Sequence, residues 1–184
     1  MSTPLIFFFI IGGAHFTLKI VYAFSVIVSL PVYQGALYVS TTRKRISAFL
    51  DAVPMKPTQL LIDLGCGDGR VLRMANKRFG ISCVGYEINP LAFIKAKVLC
   101  MFFPNIQIKY ANFYKAKISD ADIVFCYLFP DVMKRVSAKL KSELKNGTCI
   151  VSCNFELLGF TPESILRPDG SLHYDPIFLY KQYT

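Results

Sequence analysis

The stretch Leu60-Leu61-Ile62-Asp63-Leu64-Gly65-Cys66-Gly67-Asp68-Gly69-Arg70 constrains this chain more than any other. An apolar strand pattern runs into an acid, then into glycines at every second position, and a helical pattern opens near Val71. Glycine is required where the backbone must take positive φ or where a ligand must come close without a Cβ in the way, and three glycines within residues 65–69 mark a loop built to touch something. A strand, a tight turn and a helix opening in that order make a cradle of nucleotide size.

The rest of the chain repeats the alternation. Strand patterns are expected at 59–64, 82–87, 106–110, 121–127 and 148–154, with helical patterns at 42–53, 69–79, 90–102 and 130–145. Strands separated by helix-length segments form right-handed βαβ units and hence a parallel sheet. The continuous apolar character of 121–127 and 148–154 suits central strands covered on both faces. Two shorter strands are expected near 164–167 and 177–183, separated by the turn signal Pro168-Asp169-Gly170. Ser40 or Thr41 is the expected cap of the first helix. In the last helix Val132, Val136, Leu140 and Leu144 recur every fourth residue and should pack on the sheet, while Lys134, Arg135, Lys139, Lys141 and Lys145 form a solvated face or lean on anionic lipid.

The spacing of the glycines discriminates among ligands. A dinucleotide loop needs G-x-G-x-x-G, and a Walker loop needs a lysine after its last glycine; neither is present. Asp63 and Asp68 make this loop a poor seat for phosphate and a better one for a cation. Beyond it, the second strand ends in Gly85-Tyr86-Glu87-Ile88-Asn89-Pro90, and an acid at that tip can accept hydrogen bonds from both hydroxyls of a ribose.

With these two motifs the chain resembles the class I, seven-β-strand S-adenosylmethionine-dependent methyltransferases over about residues 36–184. Gly35-Ala36-Leu37-Tyr38-Val39-Ser40-Thr41, Asp68-Gly69-Arg70 and Leu128-Phe129-Pro130 narrow the likeness to the membrane-bound lysine methyltransferases of the adenine nucleotide translocase and ATP synthase c-subunit type. The resemblance implies a Rossmann-like sheet, mostly parallel with an antiparallel final strand and helices on both faces. It implies S-adenosylmethionine as cofactor, with Asp63, Gly65, Cys66 and Gly67 at its methionine part, Glu87 and Ile88 at the ribose, and Asn112 and Phe113 at the adenine. Tyr38 and Thr41 match an element expected to close over the cofactor, with Ser40 where relatives often carry proline. Removing Glu87 should then weaken cofactor binding and leave the fold intact.

Methyl transfer from a sulfonium is an in-line displacement in which the protein chiefly aligns the acceptor and excludes water, so no catalytic triad and no metal are expected. Tyr127 and Phe129, at the carboxyl end of the fourth strand, are the candidate lining of an acceptor mouth whose apolar walls would favour a neutral lysine amine. The sequence there is Cys126-Tyr127-Leu128-Phe129-Pro130, unlike the Asn-Pro-Pro-Tyr type that handles planar amides and exocyclic amines. A protein substrate with an acceptor lysine is favoured, nucleic acid is disfavoured, and a small-molecule or RNA methyltransferase, or a cofactor-binding protein without transfer activity, are the alternatives.

Leu5 to Leu30 is an apolar run broken only by His15 and Lys19. As a helix it would reach ~39 Å, more than the ~30 Å of a bilayer core. The ~2.5–3.5 kcal/mol for a central lysine is outweighed by Leu, Ile, Phe and Val at ~0.3–0.6 kcal/mol each, and the flanks are wrong for a cleaved signal peptide. The expected organisation is a transmembrane anchor at 1–31, a connector and pre-domain helix at 32–57 and the methyltransferase domain at 58–184. Arg43, Lys44 and Arg45 after the run place the domain of a single-pass protein on the cytoplasmic or matrix side. The net charge of +9 suits an anionic partner such as a lipid bilayer. Six scattered cysteines read as buried thiols of a reducing compartment.

Overall fold

The computed structural model describes residues 12–23, 41–168 and 175–183. Helix α1 is described over residues 12–23 and is exposed throughout. At ~1.5 Å per residue the described part spans ~18 Å, and no helix among the described residues is long and apolar enough to cross a membrane. The flanks of the Leu5–Leu30 run, Tyr38 with most of the connector, and Asp169 and Gly170 lie outside the described residues.

From residue 43 the order is α2 (Arg43–Ala52), β1 (Leu60–Leu64), α3 (Arg70–Phe79), β2 (Ser82–Glu87), α4 (Pro90–Cys100), β3 (Ile106–Tyr110), a 3₁₀ turn (Phe113–Lys115), β4 (Ile123–Cys126), α5 (Pro130–Glu143), β5 (Cys149–Cys153), β6 (Ser164–Leu166) and β7 (Ile177–Lys181). The seven strands form one sheet in the order β3-β2-β1-β4-β5-β7-β6. β1 to β5 run parallel, β7 lies antiparallel between β5 and β6, and the reversal at β1/β4 puts a topological switch point above Asp63.

Each face of the sheet has its own core. Ile46, Phe49 and Leu50 of α2, Val71, Leu72 and Ala75 of α3, and Ala96 and Cys100 of α4 pack with Leu61, Cys83 and Phe125 on one side. Val132, Val136, Leu140 and Leu144 pack on the other with Ile62, Val124 and Ile150, as their spacing requires. Lys139 departs from the expected basic face. It is buried, and its ammonium donates to the Ala116 carbonyl at 2.8 Å and to Glu143 at 2.6 Å. It thereby ties α5 to the segment entering β4.

Local signals explain the helix starts. Asn89 caps α4 by accepting from the amides of Leu91 and Ala92, each at 3.0 Å, ahead of Pro90 in the first turn. The cap of α2 is Thr42 rather than Ser40 or Thr41; its hydroxyl accepts from the Arg45 amide at 3.4 Å. All six cysteines are free and only Cys149 is not fully buried. Burial pushes the thiols of Cys83, Cys126 and Cys153 up to about 12 and that of Cys149 to about 11, so they stay protonated.

Candidate functional site

The loop after β1 crosses Gly65, Gly67 and Gly69 at φ of 84°, 54° and 72°, a left-handed region that a side chain resists. The Gly65 and Cys66 amides both donate to the Tyr86 carbonyl at 3.0 Å, which fixes the loop to β2. The Cys66 side chain points into the core, and a Cβ built on Gly85 would stand 2.6 Å from its sulfur. Cys66 can therefore meet a ligand only through its backbone.

Glu87 closes this frame. One carboxylate oxygen accepts from the Gly67 amide at 2.8 Å, the other from the amides of Ile88 at 2.8 Å and Asn89 at 2.7 Å. Burial raises its carboxyl above the ordinary value, and the hydrogen bonds from Asn89, Gly67 and Ile88 oppose that rise. Glu87 thus binds the glycine loop to the start of α4, so its removal would loosen the fold locally, contrary to the expectation that folding survives intact. Two carboxylate oxygens offer about four acceptor sites; three are taken within the chain.

Asp63 is different. It is 2 % exposed, and among the described residues nothing donates a hydrogen bond to its carboxylate. Burial, then the negative charges of Glu87 and Asp68, push its carboxyl well above the ordinary 3.8. Asp68 goes the other way. Burial alone would raise it, but the hydrogen bonds and charge of Arg70, with Lys95 and Arg73 nearby, hold it below 3.8. Arg70 grips both Asp68 oxygens at 2.9 and 2.8 Å and donates to the Thr41 carbonyl at 3.2 Å, which joins the pre-domain element to the loop.

A narrow cleft brings together Thr41, Asp63, Gly65, Cys66, Gly67, Arg70, Phe125 and Tyr127. Tyr127, just past β4, forms the wall away from Glu87. The Arg45 guanidinium lies 5.1 Å from its ring centroid, and its hydroxyl accepts from the Asn154 side-chain amide at 3.1 Å. Arg45 also donates to the Asn154 side-chain oxygen and to the Pro176 carbonyl, and pairs with Asp175 at 3.5 Å. Asn154 holds φ of 71°, which asparagine tolerates. Its amide orientation follows from Arg45, since the oxygen facing a guanidinium leaves the nitrogen facing Tyr127.

Phe129 does not join Tyr127 in the cleft; it stands at the N-cap of α5. Asn112 and Phe113 lie past β3, where the Ala111 amide reaches the Glu87 carbonyl at 3.1 Å. Asn112 caps the 3₁₀ turn by accepting from the Tyr114 amide at 2.9 Å, and Phe113 contacts the Tyr114 ring at 4.4 Å between centroids. Ile88 is half-buried beside Glu87. Sequence reasoning misses Arg45, Arg70 and Asn154. It reads Arg45 as a juxtamembrane charge, although this residue sits four positions before Phe49 on the buried face of α2. Asn154 carries only the weak signal of an asparagine closing a strand.

The residues fit an ammonium-bearing nucleoside. An undonated buried carboxylate suits the amino group of an amino acid, glycine backbone allows close approach beside it, and Glu87 retains acceptor capacity where a ribose would lie. Residues 63–164 match the family model described as the ANTKMT methyltransferase domain. A protein-lysine N-methyltransferase of Saccharolobus islandicus is 32% identical over 154 residues, 78% of this chain and 91% of that protein. The ATP synthase c-subunit lysine N-methyltransferase of Xenopus laevis is 27% identical over 165 residues, 85% of this chain and 69% of that one. The crystal structure of an RNA methyltransferase from Salinibacter ruber in complex with S-adenosyl-L-homocysteine superposes with a TM-score of 0.72 at 27% identity, covering 78% of this chain and 93% of that one.

Proposed function

The chain belongs to the ANTKMT methyltransferase domain family, S-adenosylmethionine-dependent methyltransferases, and from that premise we propose that it methylates the side-chain amine of a lysine in a protein held at or in a membrane. The observation that carries this reading is the shared cleft: Asp63, whose carboxylate accepts no hydrogen bond among the described residues, and Tyr127 line the same hollow.

S-adenosylmethionine, when bound, supplies the electrophilic methyl group. Asp63 would pair with the amino group of its methionine part, with the Gly65 and Gly67 backbone alongside, and Glu87 would offer its remaining acceptor site to the ribose. Asn112 and Phe113 would take the adenine, and Thr41 lines the cleft beside the glycine loop. Tyr127 is the acceptor wall. Arg45 behind its ring disfavours a second cation in the mouth, which favours the neutral, nucleophilic form of an incoming lysine. Arg45 and Asn154 act through Tyr127 by fixing its position.

The membrane enters through the apolar run Leu5–Leu30, read as a single-pass anchor. Its cytoplasmic or matrix orientation rests on Arg43 and Lys44, both exposed, since Arg45 is buried in the domain. An anchored enzyme meets embedded substrates at high effective concentration without a large docking surface. Retention of the full chain in membranes through carbonate extraction tests the anchor; release without detergent overturns it.

The likeness to the Salinibacter ruber enzyme makes RNA the alternative acceptor. Membranes lacking this protein, incubated with the purified full chain and labelled S-adenosylmethionine, separate the two. Label on a lysine by mass spectrometry supports the proposal. Nuclease-sensitive label, or cofactor binding with no transfer to any protein, overturns it.

A further inference from the structure

Residues 88–119 contain five lysines, Lys95, Lys97, Lys109, Lys115 and Lys117, and no acid. This segment builds α4, β3 and the 3₁₀ turn, at the β3 edge of the sheet. Lys95 reaches Asp68 and Lys117 reaches Asp120, each at 3.5 Å, and the surplus of lysines still suits an anionic partner.

The helix on that edge is apolar almost all round. It buries Ala92, Ala96 and Cys100 against the sheet. It leaves Ile94 and Val98 exposed at 55 % and 58 %, and the C-cap Met101 and the following Phe102 continue the exposed stretch at 65 % and 84 %. At ~100° per residue Ile94, Val98 and Met101 fall within one ~60° sector with Phe102 beside it, while Lys97 lies on one flank and Lys95 on the other. Single exposed apolar residues are ordinary, but a contiguous stripe is not. Lys97 can lay its alkyl stem along the stripe and hold its ammonium in a headgroup layer, while Lys95, on the other border, also reaches Asp68 at 3.5 Å. α5 has no comparable face: Lys139 is buried, Lys145 pairs with Asp122 at 2.7 Å, and Asp131 and Glu143 interrupt the basic set.

We propose that the exposed face of α4, bordered by Lys95 and Lys97, lies on an anionic phospholipid surface. The proposal rests on the reading that this domain works at a membrane. The cap of α4 is two residues past Glu87, so a helix lying on the surface brings that end of the cofactor cleft to the headgroup layer. Anchor and face together then fix how the acceptor mouth is presented, which a single tether cannot do.

The chain has no tryptophan, so one introduced residue reports alone. The full chain carrying F102W, L158W or F16W is reconstituted in phosphatidylglycerol/phosphatidylcholine vesicles with plain or brominated acyl chains. Leu158 is the control because it is exposed and follows β5, where its amide bonds Ser137 of α5 on the opposite face of the sheet. Brominated lipid should quench F102W at least ~2-fold, as burial at the acyl boundary requires, and spare L158W. Val98→Glu in the F102W chain should abolish the quenching with thermal unfolding unchanged. Quenching at F16W but not at F102W overturns the proposal and leaves the anchor standing. No quenching at either overturns both, and quenching at F102W alone supports the face while removing the anchor. Equal quenching at F102W and L158W, or an F102W emission shift on adding RNA without any bromolipid effect, overturns the lipid assignment.

Discussion

Asp63→Asn is the most informative single change, because the same burial that makes the residue useful makes it costly. The carboxylate has no donor among the described residues and faces Glu87 and Asp68, so its carboxyl titrates well above 3.8. An acid whose folded value is raised favours the fold below its unfolded value, and that contribution is lost as pH rises through the folded value. The ligand-free protein should therefore lose stability as pH climbs above 3.8 through the raised value, and Asp63→Asn should flatten the slope. At neutral pH the variant should gain on the order of 1 kcal/mol, or ~2–4 °C in a domain of this size. Binding moves oppositely. An ammonium beside Asp63 restores the carboxylate, so binding releases a proton in the same window, and affinity rises with pH until Asp63 is ionised in the free protein as well. Losing the partner of a buried charge costs ~2–5 kcal/mol, which is a ~30- to 4,000-fold weaker dissociation constant at ~1.4 kcal/mol per tenfold. Titration calorimetry with S-adenosylhomocysteine in two buffers of different ionisation enthalpy reads both quantities. An Asp63→Asn protein that binds within twofold of wild type, or that still releases the proton, refutes the assignment.

Glu87→Gln should lower both cofactor affinity and melting temperature, because one side-chain position becomes a donor facing the backbone amides of Gly67, Ile88 or Asn89; unchanged melting would show that the loop does not depend on this clasp. Gly85→Ala places a Cβ 2.6 Å from the Cys66 sulfur and 2.7 Å from Leu72 Cδ1. Overpacking of that kind costs ~1–3 kcal/mol, read as a fall in melting temperature with a weakened S-adenosylhomocysteine titration. Arg45→Met should reduce turnover about 10- to 100-fold by freeing Tyr127, with S-adenosylhomocysteine affinity unchanged. Arg45→Lys should not restore turnover, since one ammonium cannot replace a planar fork bonded to Asn154, Pro176 and Asp175; rescue by lysine would reduce Arg45 to a simple charge.

The sheet was legible because its signals are local. A strand pattern followed by Gly65, Gly67 and Gly69 allows few other conformations, and the four-residue recurrence of Val132, Val136, Leu140 and Leu144 fixes the buried side of α5 without knowledge of its partner. Lys139 broke the pattern for a nonlocal reason. Its ammonium finds the carbonyls of Tyr114 and Ala116, more than twenty residues earlier, and no periodicity within α5 announces that. The displacement of the α2 cap to Thr42 is a smaller failure of the same kind, since three consecutive hydroxyl residues offer equivalent local chemistry and packing chooses between them.

The cleft divides along the same line. The proposed cofactor side is written in two short motifs, because Asp63, Gly65, Gly67 and Glu87 come from adjacent strand ends brought together by one β-α-β unit. The proposed acceptor side is assembled from Arg45 on α2, Tyr127 after β4, Asn154 after β5 and Pro176 before β7, pieces up to 131 residues apart. Each looks ordinary alone: a basic residue in a basic run, an aromatic after a strand, an asparagine at a turn. Only their meeting makes a guanidinium that orients an amide that orients a phenol. An acceptor wall held by long-range contacts can be rebuilt by changing two or three residues without disturbing the methyl-donor loop. Relatives of one fold can therefore keep the donor motifs while their acceptors differ, and exchanging Arg45, Tyr127 and Asn154 together should alter acceptor preference while S-adenosylhomocysteine affinity stays constant.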